Sequence, residues 1–225
     1  MEPYNFLGLV NSLNYRLNEV PLTEANFASA DGWYRQAKEA VNSAIQHISH
    51  QETRWPWYYV EKEEVLTEGQ IRYPYPDDAQ LLRMDSFRIV KDASVKNTSL
   101  EEGDYEELLK LYDLDSSTVS QGVPRTVFRY PDRSYGIYPS AIAPYEMVYE
   151  YYKTPVDLFN ADDVPDIPVQ WRPVIANGAM MYAYLFRSDG QSAAVMEKLF
   201  GDNLSHMRKV YENRYVKVRS SVVRK

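Results

Sequence analysis

The chain has 225 residues, 44% hydrophobic and 25% charged, which gives room for one large domain or two small ones in ordinary globular proportions. Its formal net charge of −7 disfavours a protein that wraps the outside of DNA through a dominant basic face. With no cysteine it can form no disulfide, thiolate nucleophile or cysteine-based zinc site, and no apolar run reaches the roughly eighteen residues of a membrane span.

Taken in order, Met1-Glu2-Pro3-Tyr4-Asn5 lacks a basic segment leading into an apolar one, so no secretory signal is expected. Pro3 to Glu19 is predicted to be an amphipathic helix with Phe6, Leu9, Val10, Leu13 and Leu17 on one side. The ring of Pro21 disfavours helical geometry at Val20 and ends it. Asp31 or Ser29 is expected to open a second helix, on which Trp33, Ala37, Ala40, Val41, Ala44, Ile45 and Ile48 share a face.

The period then moves toward two. Trp57 to Thr67, Gln70 to Tyr75 and Gln80 to Lys91 are strand candidates. In the third, Leu82, Met84, Ser86, Arg88 and Val90 alternate with Leu81, Asp85, Phe87 and Ile89. Glu101 to Leu114 reads as an acidic helix with Tyr105, Leu108, Leu109 and Tyr112 at helical spacing. Thr126 to Tyr130 and Tyr135 to Tyr138 form a hairpin through the turn-formers Pro131-Asp132-Arg133-Ser134. Tyr145 to Lys153 is a last strand with Tyr145, Met147, Tyr149 and Tyr151 on one face, and Thr154 to Ile167 is a connector rich in proline and aspartate.

Two more helices follow, joined by Arg187-Ser188-Asp189-Gly190. Pro173 falls near the start of the first, where a missing amide does least harm. Its stripe is Trp171, Val174, Ile175, Ala179, Tyr182, Leu185 and Phe186; that of the second is Val195, Leu199, Phe200, Leu204, Met207, Val210 and Tyr211. Asp189 stands where an N-cap would accept from the free amides of the second. Two helices alone cannot cover both stripes, and the N-terminal pair supplies partners. The expected class is therefore α+β: a four-helix bundle from the N- and C-terminal helix pairs (residues 1–54 and 166–214). A mainly antiparallel β domain is inserted at 55–165, and residues 215–225 form a short arm.

Twenty tyrosines, four tryptophans and seven phenylalanines make the chain 14% aromatic. Some fill the β core, but so large a supply suggests more contact surface than one monomer needs. Beyond Asn213 the chain carries Arg214, Lys217, Arg219, Arg224 and Lys225 with no acid, interspersed with Tyr215, Val216, Val218, Val222 and Val223. This reads as a frayed basic terminus or as an arm that orders on a partner, by adding a strand or by pairing with an acidic surface.

Catalytic signals are weak. His47 and His50 could share a helix face, but Glu52 lies too near the helix end to complete a ligand set and His206 is the remaining histidine. Asp77-Asp78 and Glu101-Glu102 are adjacent carboxylates, which on a strand point to opposite faces. No nucleophile elbow, phosphate loop or dinucleotide glycine pattern occurs. No catalytic residue, cofactor or metal is expected. From Glu61 to Asp115 the acidic residues outnumber lysine and arginine, as suits a surface past which DNA slides without adhering.

Several local features, in this order, resemble a known family. Trp33 opens the second helix, and Arg54-Trp55-Pro56-Trp57 leads into the first strand. Tyr73-Pro74-Tyr75-Pro76-Asp77-Asp78 precedes Leu81 to Val90, and Gly122-Val123-Pro124-Arg125 precedes another strand. Ile137-Tyr138-Pro139, Asp166-Ile167-Pro168, Trp171, Ile175, Gly178-Ala179 and Tyr182-Ala183-Tyr184 follow. Together they resemble the head-to-tail adaptor proteins of short-tailed bacteriophages, also called tail tubular protein A or connector proteins. The resemblance implies a structural virion protein, assembled in the host cytoplasm, that forms a homo-oligomeric ring, typically of twelve copies, beneath the portal. It implies contact with the portal protein and with a tail nozzle, and a channel through which genomic DNA passes without sequence-specific binding. The bundle and arm would face the portal, with Arg214 to Arg219 and Val222 to Lys225 as the portal-binding segment. The other readings are a different head-completion or tail-ring subunit, or a metal-dependent nucleic-acid-processing protein using His47 and His50.

Overall fold

The computed structural model describes residues 3–90, 98–111 and 120–212. In chain order these form helices α1 (Phe6–Arg16), α2 (Glu24–Phe27), α3 (Trp33–Gln51), α4 (Tyr105–Leu111), α5 (Arg172–Phe186) and α6 (Gly190–Glu212). The longer strands are β1 (Tyr59–Val65), β2 (Arg72–Pro74) and β3 (Ala79–Val90); β4 (Thr98–Ser99), β5 (Glu101–Glu102) and β6 (Gln121–Gly122) are two-residue pieces. Then come β7 (Thr126–Arg129), β8 (Ser134–Tyr138), β9 (Ser140–Ala141) and β10 (Glu146–Lys153). The described residues divide into two compact units, a mixed α+β composition: one from the stretches up to Trp57 and from Pro155 onward, the other Tyr58–Thr154.

In the helical unit, the side chain of Asn5 accepts from the Gly8 amide at 2.9 Å and so starts α1. Phe6, Leu9, Val10 and Leu13 are buried. The helix ends at Arg16 rather than Glu19, because the chain turns through Asn18 at φ 56. Helix α2, which the periodicity does not announce, opens on a reciprocal Thr23–Asn26 capping box, and its Phe27 meets the Phe6 ring edge-on at 5.2 Å. Neither Ser29 nor Asp31 caps α3. It follows Gly32, whose φ of 65 a side chain would disfavour.

The alanines of α3 do what their size permits. Ala37, Ala40 and Ala44 are fully buried, and α3 packs on α5. A Cβ placed at Gly178 of α5 would stand 2.9 Å from both Ala44 and Phe200, so α3, α5 and α6 meet there at close quarters. Helix α1 packs on both α3 and α5. Asp189 caps α6 as expected, accepting from the Ser192 amide at 3.0 Å.

The apolar stripes are narrower than the periodicity suggested. On α6, Ala193, Phe200, Leu204 and Met207 are buried, whereas Val195 and Leu199 are 66% and 45% exposed. Leu185 and Phe186, at the end of α5, are exposed as well.

Aromatic rings join the two halves of this unit. Trp55 is buried, donates from Nε1 to the Ile48 carbonyl at 2.9 Å and stacks on Trp57 at 4.7 Å. Tyr211, in the last turn of α6, stands edge-on to Trp57 at 5.4 Å, and its hydroxyl accepts from Trp171 Nε1 at 3.0 Å.

The second unit holds sheets ordered β1-β10-β3-β4 and β2-β8-β7-β5, with a short β6-β9 pair. The longer ladders are antiparallel, and the β7–β8 hairpin pairs Thr126 with Tyr138 and Arg129 with Tyr135, as the turn-formers between them predict. Only the two-residue β5–β7 and β6–β9 ladders are parallel among the described residues. The strict alternation expected of β3 does not hold: its buried residues switch from Leu82 and Met84 to Phe87 and Ile89. A register shift against β10 between Val148 and Glu150 causes this, and Ser86 Oγ occupies the gap by accepting from the Glu150 amide at 2.9 Å.

The core between these strands sets Tyr73, Tyr135, Tyr149 and Tyr151 among aliphatic side chains such as Leu82, Ile89, Val127 and Ile137. Tyr135 and Tyr149 are fully buried, and both donate to Glu64 Oε2, at 2.9 and 3.0 Å. Tyr151 donates to the Asp78 carboxylate at 3.0 Å. Burial, with neighbouring Tyr149 and Glu64, raises the pKa of Tyr135, and burial with Glu64 raises that of Tyr149. Burial and Asp78 push Tyr151 up to about 12.

An unfolded chain ionises tyrosine near pH ~10. The folded state holds these protons more tightly, so their stabilising effect is fully present below that pH; Tyr151's share is lost as pH rises through about 12, and those of Tyr135 and Tyr149 at higher pH still. In an alkaline titration followed by tyrosinate absorbance, a fraction of the tyrosines should ionise only together with loss of β circular dichroism. Smooth ionisation of every tyrosine near its ordinary value, with the fold intact, would contradict this core.

Candidate functional site

Among the described residues, the histidines lie in the helical unit and the adjacent carboxylates in the β unit. His47 and His50 do line one shallow groove with Glu39, Asn42, Gln46 and Tyr182. His47 Nδ1 lies 3.0 Å from the Tyr182 hydroxyl and its ring packs edge-on against Phe200 at 5.1 Å, so it is a partly buried packing residue. Burial, with His50 nearby, lowers its pKa, against a smaller raising effect of Glu197. Glu52 turns away to accept from the Arg54 amide at 3.0 Å, and His206 lies by Trp171. Among the described residues no three His, Asp or Glu side chains are placed to hold a metal ion.

Asp77 and Asp78 fall in an exposed turn ahead of β3 rather than on a strand, and Asp78 accepts from the Tyr151 hydroxyl at 3.0 Å. Glu101 and Glu102 are exposed on β5, with Glu102 3.7 Å from Arg129. The basic segment Arg214, Tyr215, Val216, Lys217, Val218, Arg219, Val222, Val223, Arg224 and Lys225 lies outside the described residues. No helix among the described residues is long and apolar enough to cross a membrane.

The connector, expected to lie within the β insert as far as residue 165, belongs from Pro155 onward to the helical unit. Pro155, Leu158, Pro165 and Ile167 are buried. Asn42 clamps Leu158 from α3 by donating to its carbonyl at 3.0 Å and accepting from its amide at 3.1 Å. The first amides of α1, Phe6 and Leu7, donate to the carbonyls of Asp163 and Ala161 at 2.8 and 3.0 Å. Those amides have no partner within their own helix, so the connector satisfies them. Asp163 folds the loop on itself, Oδ2 accepting from the amides of Phe159 and Asn160 at 2.7 and 2.8 Å. These bonds hold its carboxyl below the usual range. The signal available in the sequence was the aspartate four positions after Phe159, a pattern that short polar turns share too widely to stand out.

A family model described as SU10 adaptor protein matches residues 4–224. The chain belongs to this family of phage adaptor proteins, named for a short-tailed phage. No curated protein matches it.

Proposed function

We propose that the chain is a head-to-tail adaptor whose copies close into a ring, twelve in number, between the portal and the tail nozzle, extending the channel for DNA. The match to the adaptor family over residues 4–224 carries this reading. In it, α1, α3, α5 and α6 act as one four-helix scaffold, supported by the packing of α1 on α3 and α5, of α3 on α5 and of α5 on α6. The β domain, Tyr58–Thr154, is the insert that meets neighbours and the tail side. Residues 215–225 are the arm that docks on the portal. A closed ring repeats one heterologous contact, so each copy needs two different complementary patches.

Deletion of residues 215–225 should leave circular dichroism and thermal unfolding unchanged and weaken capture by immobilised portal rings. Raising salt should weaken capture of the full chain further, because Arg214, Lys217, Arg219, Arg224 and Lys225 supply its charge. Undiminished capture of the truncated chain would refute a docking arm.

A further inference from the structure

Strand β1 leaves one edge of its sheet open. Among the described residues it pairs with β10 on one side and with no strand on the other. The Leu66 amide donates to the Tyr145 carbonyl at 2.8 Å, in register with the β1–β10 ladder. Alternate residues of an antiparallel pair exchange both backbone bonds, so Val60, Lys62 and Glu64 turn theirs to β10. Tyr59, Glu61, Glu63 and Val65 turn their amides and carbonyls outward, and their side chains are exposed as well.

Charge defines what this edge accepts. On the face that Glu61 and Glu63 share, Arg88 bonds Glu61 at 2.7 Å, and Arg83 bonds Glu150 and Asp85 at 2.6 and 3.0 Å. Those two arginines are thus matched, and the exposed Glu63 and Glu146 leave the face acidic. On the opposite face Lys62 and Glu64 offset one another. Two β1 edges laid together would set glutamates against glutamates, which disfavours a two-fold contact. The edge fits an extended segment with basic residues at alternate positions.

Such a segment follows α6. Alternation in Tyr215-Val216-Lys217-Val218-Arg219 assigns Tyr215, Lys217 and Arg219 to one side of a strand and the two valines to the other, and no acid occurs from there to Lys225. Laid antiparallel on β1, the slightly more stable arrangement, Arg219 would meet Glu61, Lys217 would meet Glu63 and Tyr215 would meet Val65. Ser220-Ser221 then breaks the alternation, and Val222-Val223-Arg224-Lys225 does not resume it. Helix α6 ends at Glu212, and an extended chain from there to Lys225 reaches about 40 Å. The segment is carried by the helical unit and the edge by the β unit, so the contact joins two different surfaces, as a head-to-tail ring requires.

We propose that Tyr215 to Arg219 of one copy adds as a strand to the β1 edge of the next, which leaves Val222 to Lys225 for the portal. This inference rests on the ring and docking-arm readings given above, and it makes the arm a contact between copies as well.

The chain has no cysteine, so introduced thiols report without background. Chains carrying Val65→Cys are mixed with chains carrying Tyr215→Cys, assembled with portal rings and treated with a short bismaleimide. Cross-linked dimers should form in the mixture and far less in either variant alone. Adding Glu63→Lys to the first chain, or Lys217→Glu to the second, should lower the yield about fivefold, as reversal of one cross-strand charge pair does. Adding both should restore it, a rescue that a misfolded variant would not show. Removing residues 222–225 alone should weaken capture by portal rings and keep the cross-link in the copies captured. Rings that form without cross-linking between positions 65 and 215, or with a yield indifferent to charge at 63 and 217, would overturn the inference and leave the ring standing. A wild-type chain that never self-associates, with or without portal, would overturn both.

Discussion

Replacing Trp55 by alanine lowers the stability of the helical unit by about 3–5 kcal/mol, the cost of a large cavity at a fully buried aromatic. The change removes the stack on Trp57 and the indole donor to the Ile48 carbonyl, and it strips one side from Tyr211 at the end of α6. Natural domains hold only about 5–15 kcal/mol in reserve, so much of the unit's margin disappears. Denaturant unfolding followed by tryptophan fluorescence checks this selectively. The chain's four tryptophans, Trp33, Trp55, Trp57 and Trp171, all lie in the helical unit, and three remain in the variant. A midpoint within a few tenths of a molar of the parent would mean that the aromatic cluster does not hold the chain's two ends together.

Glu64→Ala should have a comparable effect on the β unit. It leaves the Tyr135 and Tyr149 hydroxyls, both on fully buried rings, without the carboxylate they share. A buried polar group that loses its partner costs about 1–3 kcal/mol, so two together cost about 2–6 kcal/mol. Glu64→Gln keeps an acceptor oxygen and should recover part of the loss. The alkaline transition seen in tyrosinate absorbance should move to lower pH in the alanine variant and less far in the glutamine variant. Identical alkaline transitions in all three chains would remove Glu64 from the account of this core.

The parts of this fold that were legible in the sequence are those fixed by local chemistry. Helical periodicity located α1, α3, α5 and α6, Asp189 announced the start of α6, and the Pro131 to Ser134 turn announced the β7–β8 hairpin. What escaped depends on partners distant in the chain. The three-and-four spacing on α6 includes Val195 and Leu199, but whether they are covered depends on which helices reach that side, and none does among the described residues. The face switch in β3 depends on how Ser86 meets β10. The two-residue parallel ladders depend on register alone.

The connector is the clearest case. Proline and aspartate in alternation read as a linker, and no local rule foretold that Asn42, more than a hundred residues earlier, would clamp Leu158. A stretch that composition assigns to the passage between domains is instead a fixed platform that holds Phe159 in water. The residues worth testing for reaction, His47 and His50, prove to be a packing histidine and an exposed neighbour on the same helix.

The purified protein, imaged by electron microscopy with and without portal rings of its own phage, tests the adaptor reading most directly. The account predicts an added coaxial layer on each portal ring, one copy beside the next around the channel. Portal rings that stay bare at saturating protein would contradict it.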